Sequence, residues 1–189
     1  MNSHSIWKQI KFVTGNANKV REAREILGME VEQVTLDDLY EIQTCDPVEI
    51  VRGKVLQAHK ILQCPVLVED SALVFAAWKS LPGALVKWFE DNVGCAGMLK
   101  MLESFENRRA LALCCVALHD GKEIRVATGE VHGTIADRVR GSHGFGWDVI
   151  FIPEGGYRTY AEMNPEEKNA VSHRRRAFES LKTMLNLPL

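Results

Sequence analysis

Residues 10–27 read IKFVTGNANKVREAREIL. The run Ile10 to Thr14 has the length and apolar content of a short buried strand, and Gly15 and Asn16 interrupt it. A helix is expected from Ala17 to Leu27, because Val20, Ala23, Ile26 and Leu27 recur at helical spacing. Gly28 is placed to stop it. A strand feeding a glycine turn and then a helix is a building unit of α/β folds. It also delivers a helix N-terminus, whose dipole and unsatisfied N–H groups attract phosphate. Thr14, Gly15, Asn16 and Lys19 are therefore candidate anion contacts. The P-loop pattern G-x-x-x-x-G-K-[ST] is absent. A capped helix start needs no ligand, so this stretch is not a site by itself.

The elements further along keep the α/β character. Val31 to Val34 reads as a strand, and Tyr40 to Asp46 as a loop. Pro47 opens a helix to about Leu62, with Ile50, Val51, Val55, Ala58, Ile61 and Leu62 on one side. Pro65 to Val68 is a strand that ends on Glu69 and Asp70. Leu81-Pro82-Gly83 marks a turn, followed by helical pieces around Ala84 to Asp91 and Ala96 to Glu103. Ala110 to Leu118 and Glu123 to Val131 pair around an Asp120-Gly121 turn. Residues 141–147 form a glycine-rich loop, and Val149 to Ile152 a short strand. One long helix closes the chain: Asn164 caps it, Pro165 and Glu167 complete its start, and Val171, Phe178, Leu181 and Leu185 line its apolar side. The expected class is α/β with a mixed sheet in a single domain spanning residues 1–189, without repeats or linkers.

Composition narrows the function. The 189 residues carry a formal net charge of -2, and 46% are hydrophobic. That balance argues against a general nucleic-acid binder, which would be strongly basic. No apolar run approaches the roughly 18 residues of a membrane span. The start of the chain (Met1 to Lys11) lacks the apolar region of a secretory signal. The five cysteines form no C-x-x-C pair, so neither a zinc site nor a disulfide framework is expected. A reducing, cytoplasmic setting follows as the expectation.

Polar clusters beyond the first turn add chemistry. Asp70, with Glu69 before it and Ser71 after it, offers carboxylates at a strand end, where ligands of α/β sheets gather. Oxygen ligands suit Mg²⁺, and Glu41 in the preceding loop is a second carboxylate. Phe145, Gly146, Trp147 and Asp148 lie in the glycine-rich loop. An aromatic ring there either stacks on a base or plugs the core, and Asp148 can accept from base N–H groups. Lys168 and Ser172 are four apart and would share a helix face, beside His173 and Arg174. Lys54 intrudes at the edge of an apolar stripe, which either snorkelling or a nearby anion explains.

Taken together these segments resemble the inosine triphosphate pyrophosphatase family. The resemblance is carried by Thr14-Gly-Asn-Ala-Asn-Lys19, Leu67-Val-Glu-Asp-Ser71, and Leu81-Pro-Gly83 with Lys87-Trp88-Phe89. It continues through Phe145-Gly-Trp-Asp148, Thr159-Tyr-Ala-Glu-Met163 and Glu167-Lys-Asn-Ala-Val-Ser-His-Arg174. It implies an elongated mixed sheet with two lobes, a central nucleotide cleft and a homodimer. It also implies Mg²⁺-dependent hydrolysis, with Mn²⁺ as an alternative, of purine triphosphates such as ITP, dITP and XTP to monophosphate and pyrophosphate. Thr14 to Lys19 and Lys54 would hold the triphosphate. Asp70 would act as base, metal ligand or both, with Glu41 or Glu49 as the second carboxylate. Phe145 to Asp148, His173 and Arg174 would hold the base, and Lys168 base or phosphate. Two positions depart from the family pattern: Val149 stands where Pro is frequent and Asn18 where Lys is frequent. A nucleotide sensor without catalysis and a pyrophosphatase for pyrimidine or modified nucleotides are the competing readings.

Overall fold

The computed structural model describes residues 10–185. The stretch Met1 to Lys11, read above as lacking a secretory signal, lies outside the described residues apart from Ile10 and Lys11. A seven-stranded mixed sheet runs in the order β2-β1-β3-β5-β6-β7, with β4 on the side of β3. Its strands are β1 (Lys11–Val13), β2 (Glu32–Val34), β3 (Val66–Phe75), β4 (Pro82–Gly83), β5 (Arg109–His119), β6 (Ile124–Ile135) and β7 (Phe151–Pro153). The helices are α1 (Ala17–Leu27), α2 (Pro47–Leu62), α3 (Val86–Asn92), α4 (Gly94–Met101), α5 (Pro165–Val171) and α6 (His173–Met184). Among the described residues no helix is long and apolar enough to cross a membrane. All five cysteines are free.

The pleat of β3 sorts the core. Its odd-numbered side chains face α1 and α6, where Phe12, Val20, Leu67, Phe178 and Leu181 pack. Its even-numbered side chains face α2, where Val51, Val55, Val66 and Val68 pack. Farther along the long strands a third cluster holds Leu73, Phe75, Met98, Trp147, Phe151 and Tyr160. Helix α6 lies tight on β6: a Cβ at Gly129 would sit 2.2 Å from the His173 carbonyl oxygen, so no side chain fits there.

Four expectations need correction. The strand through the acidic pair does not end at Val68; it runs unbroken to Phe75, because β5 pairs with it from Val66 to Phe75. The last helix is two helices. Ser172 leaves helical geometry with ψ 152°, and its side chain caps α6 by accepting from Arg175 N. Lys168 and Ser172 therefore do not share a helix face. Gly146–Val149 is a turn of 3-10 helix, and the strand expected from Val149 begins at Phe151. Pro82 and Gly83, read as a turn, form the short strand β4 against Leu73 and Val74.

Candidate functional site

The sheet leaves an opening beside Glu69 and Asp70. On one edge of β3, β5 pairs along the whole strand. On the other edge, β1 pairs with Val66 and Leu67 and β4 with Leu73 and Val74. Residues 68–72 face no strand on that edge, and there the turn after β1 meets a cavity of about 460 Å³. Thr14, Gly15, Asn16, Lys19, Glu41, Lys54, Asp70, Ser71, Phe145, Gly146, Trp147, Asp148, His173 and Arg174 all line it. Segments far apart in sequence thus converge because three loops end at one gap in the sheet.

Strand alternation gives the two adjacent carboxylates different partners. Glu69 points to the α6 side, where Arg174 grips it with Nε at 2.8 Å and Nη2 at 2.7 Å. Burial works to raise the pKa of Glu69, but Arg174 and Lys19 overcome it and hold the carboxyl well below the usual range. Asp70 points to the α2 side. Burial pushes its carboxyl up to about 6, against the pull of Lys19 and Lys54 and with help from Glu41 and Glu69. Its Oδ2 is buried and has no hydrogen-bond partner. Lys19 bridges the two, with Nζ 3.5 Å from Glu69 and 4.0 Å from Asp70. Burial alone would lower the pKa of Lys19, but these carboxylates outweigh it and hold it above its ordinary value. Lys54 pairs with Glu41 at 2.6 Å on the same wall.

The start of α1 is less open to anions than its sequence implies. The Asn16 side chain accepts from the N–H groups of Asn18 and Lys19, and Thr14 Oγ1 accepts from Asn16 N. These side-chain acceptors use up N–H groups at the helix start. The helix dipole and the Lys19 ammonium remain to favour negative charge. A Cβ built on Gly15 meets only Thr35 Cγ2, at 3.9 Å, so packing does not demand glycine there.

At the other end the wall is held by a buried ion network. Lys168 Nζ donates to Glu22 at 2.7 Å and to Asp148 at 2.6 Å, and Arg174 also binds Glu22. Asp148 Oδ2 accepts from Phe145 N at 2.8 Å, which fixes the loop. Lys168 is nearly fully buried in this network and does not itself line the cavity; it holds Asp148 and Glu22 behind the wall. Trp147 packs into the core against Phe151, Tyr160 and His173, whereas Phe145 is half-buried with Lys168 Nζ 4.8 Å from its ring. His173 is buried with both ring nitrogens unpartnered, and burial with Arg174 and Lys168 nearby drives its pKa well down, so it is neutral. Glu49 is exposed and absent from the lining, which leaves Glu41 as the carboxylate opposite Asp70.

Sequence reasoning missed Glu22 and Glu90, and did not use Lys87. Glu22 lies on the inner side of α1, four residues before Ile26, which packs against the core, and that placement was the available signal. Lys87 and Glu90 line the cavity from α3. The segment Lys87-Trp88-Phe89 carried the resemblance without a role attached to it.

Cations and unpaired carboxyl oxygen at one end, with a ring-lined wall at the other, define an α/β protein whose cleft suits a ligand anionic at one end and planar at the other. A sequence model of the Ham1 family matches residues 10–184, and the chain belongs to that family. It is 47% identical over 186 residues to an inosine triphosphate pyrophosphatase of Kluyveromyces lactis, covering 94% of this chain and 95% of that protein. It is 40% identical to a dITP/XTP pyrophosphatase of Hyperthermus butylicus over 175 residues, 91% of this chain and 92% of that protein. Among solved structures, a HAM1 protein from Coxiella burnetii superposes with a TM-score of 0.80 at 32% identity, over 94% of this chain and 98% of that one.

Proposed function

We propose that the protein hydrolyses purine nucleoside triphosphates outside the standard set (ITP, dITP and XTP) to the monophosphate and pyrophosphate. The observation that carries this reading is the convergence of Lys19, Lys54, Asp70 and the Phe145–Asp148 wall on one cavity. The relatives' names, inosine triphosphate pyrophosphatase and dITP/XTP pyrophosphatase, support the same substrates.

The chain's own groups divide the work. Lys19 and Lys54 draw the polyphosphate tail into a protein of formal net charge -2. Both stand where charge grows on the departing pyrophosphate and stabilise it. Asp70, with an unpartnered oxygen and a pKa of about 6, accepts the proton of the water that attacks the α-phosphorus. The buried, unpaired Oδ2 also fits a divalent-cation ligand. Among the described residues no group of three or more His, Cys, Asp or Glu is placed to hold a metal. Mg²⁺ needs only one or two carboxylates and leaves its other positions to water and substrate phosphates. Asp70 and Glu41 would hold it, and when bound it supplies positive charge to the phosphoryl oxygens.

Base selection falls to the buried end. The Arg174 guanidinium has five N–H donors, of which Glu69, Ser71 and Glu22 engage four. One Nη1 hydrogen is left for the 6-oxygen of hypoxanthine or xanthine. Adenine presents an amino group there and leaves that donor unmatched, at a cost of about 1–3 kcal/mol.

The test is pyrophosphate release from ITP, XTP, dUTP, ATP and GTP, with Mg²⁺ and with chelator. Rapid release from ITP and XTP only with the metal is expected. Binding without cleavage would replace the enzyme with a sensor, and preference for dUTP or methylated nucleotides would move it to another substrate class.

A further inference from the structure

One carboxyl in the cavity has no task in the mechanism above. Glu90 lies in α3 and lines the cavity beside Gly146, Trp147 and Asp148. Its Oε1 is buried and has no hydrogen-bond partner. The fit to the facing loop is close. Gly146 has φ +60°, and a Cβ there would stand 2.7 Å from Glu90 Oε1 and 3.6 Å from Oε2. A side chain at 146 would collide with the carboxyl, so the loop and Glu90 form one wall. Cys95 Sγ caps the other side of the same peptide at 3.7 Å from the Gly146 oxygen.

Such a group is costly to keep. Glu90 is half-buried with one oxygen out of reach of solvent, and burial together with Asp91 and Asp148 raises its carboxyl to about 7 against the pull of Lys87 and of a hydrogen bond from the Trp147 backbone. Among the described residues no side chain hydrogen-bonds to it, and the Trp147 backbone leaves Oε1 unpartnered, so a ligand donor fits that oxygen. Phosphate is excluded on charge. A neutral N–H donor on the planar end of the ligand is the chemistry that fits.

We propose that Glu90 is a specificity-determining residue of this cavity, whose carboxyl accepts the N1–H of a 6-oxopurine. This rests on the proposed purine-triphosphate function and deepens it. In hypoxanthine and xanthine the N1–H donor stands next to the 6-oxygen acceptor. Arg174 supplies one donor and Glu90 one acceptor, which match that edge as a pair. Adenine carries a lone pair at N1, so carboxylate oxygen meets lone pair and the ring is rejected at two positions rather than one. Guanine shares N1–H and is not excluded by this contact.

The experiment uses the full chain with Glu90→Gln and Glu90→Leu, each checked to unfold at or above the wild-type temperature. Three readouts are taken: kcat/KM for ITP, N1-methyl-ITP and ATP with Mg²⁺, calorimetric binding of IMP and N1-methyl-IMP, and inhibition by inorganic tripolyphosphate. The wild type should favour ITP over N1-methyl-ITP and IMP over N1-methyl-IMP. Glu90→Leu should lose roughly 10- to 100-fold in kcat/KM for ITP, with little change for N1-methyl-ITP and a rise for ATP as the repulsion at N1 is removed. Glu90→Gln, which can donate to adenine N1, should raise ATP relative to ITP. Inhibition by inorganic tripolyphosphate should be unchanged in both variants, which a general loosening of the site would not allow. Cleavage of ITP with wild-type ratios in both variants overturns the role of Glu90 and leaves the enzymatic reading intact. A wild type that binds IMP selectively through Glu90 but does not cleave ITP overturns the enzymatic reading and leaves the contact. Failure both to cleave ITP and to bind either nucleotide overturns both.

Discussion

Replacing Asp70 by Asn should make the protein more stable and nearly inactive. The carboxyl has a pKa pushed from 3.8 to about 6, chiefly by burial. A raised carboxylate pKa means that the folded state favours the protonated form. The cost of holding it ionised is absent below pH 3.8, grows between there and 6, and is complete above. Each pKa unit is worth about 1.4 kcal/mol, so the full cost is about 3 kcal/mol. Asn has the shape of the neutral acid and removes that cost. At pH 8, in chelator and without nucleotide, Asp70→Asn should gain up to about 3 kcal/mol, and for a chain of this size each kcal/mol moves the Tm by roughly 2–4 °C. At pH 4, where the cost is about 0.6 kcal/mol, the two proteins should unfold within roughly 1–2 °C of each other. Turnover of ITP should fall by roughly 10²- to 10⁴-fold. Adding Mg²⁺ should raise the wild-type Tm and leave the variant unmoved. A variant no more stable than wild type at pH 8, or a difference that does not grow with pH, would refute the claim that Asp70 is held ionised against the fold.

Other substitutions separate binding from folding. Gly15→Ala should leave the Tm unchanged, since its Cβ meets nothing closer than 3.9 Å, yet raise the KM for ITP because the space belongs to phosphate; an unchanged KM would remove the turn from the site. Lys54→Ala breaks an ion pair with the partly exposed Glu41 and should cost less than about 1 kcal/mol in urea unfolding, while kcat/KM drops roughly 10- to 100-fold. Glu22→Ala leaves buried Arg174 and Lys168 short of a counter-charge and should destabilise by about 3–5 kcal/mol; a loss under about 1 kcal/mol would show that the network carries no structural weight.

Much of the site was legible because its residues sit in short segments with strong local signals. The strand-turn-helix of residues 10–27, the Pro47 helix start and the hairpin around Asp120-Gly121 follow from local propensity, and the structure has them. Thr14 to Lys19 and Phe145 to Asp148 were visible as polar groups at turns. Local pattern failed where neighbours decide. Glu69-Asp70-Ser71 looks like the end of a strand, since carboxylates rarely continue one, but β5 pairs through them and carries β3 on to Phe75. The apolar spacing from Val171 to Leu185 fits a single helix, but Ser172 leaves helical geometry there and its side chain caps α6 instead.

The amino-acid order alone determined the fold class and the chemical types present, because periodicity, capping and turn chemistry are properties of a few consecutive residues. Only the tertiary structure decided which of two adjacent carboxylates is neutralised by Arg174 and which is left unpaired, since a pleated strand sends them to opposite faces with different partners. It also decided that Lys168 and Arg174 are spent largely on each other's counter-charges, and that Glu90 stands in the cavity. Burial, and with it the strength of every charge in this site, is a product of packing between distant segments, and no local pattern contains it.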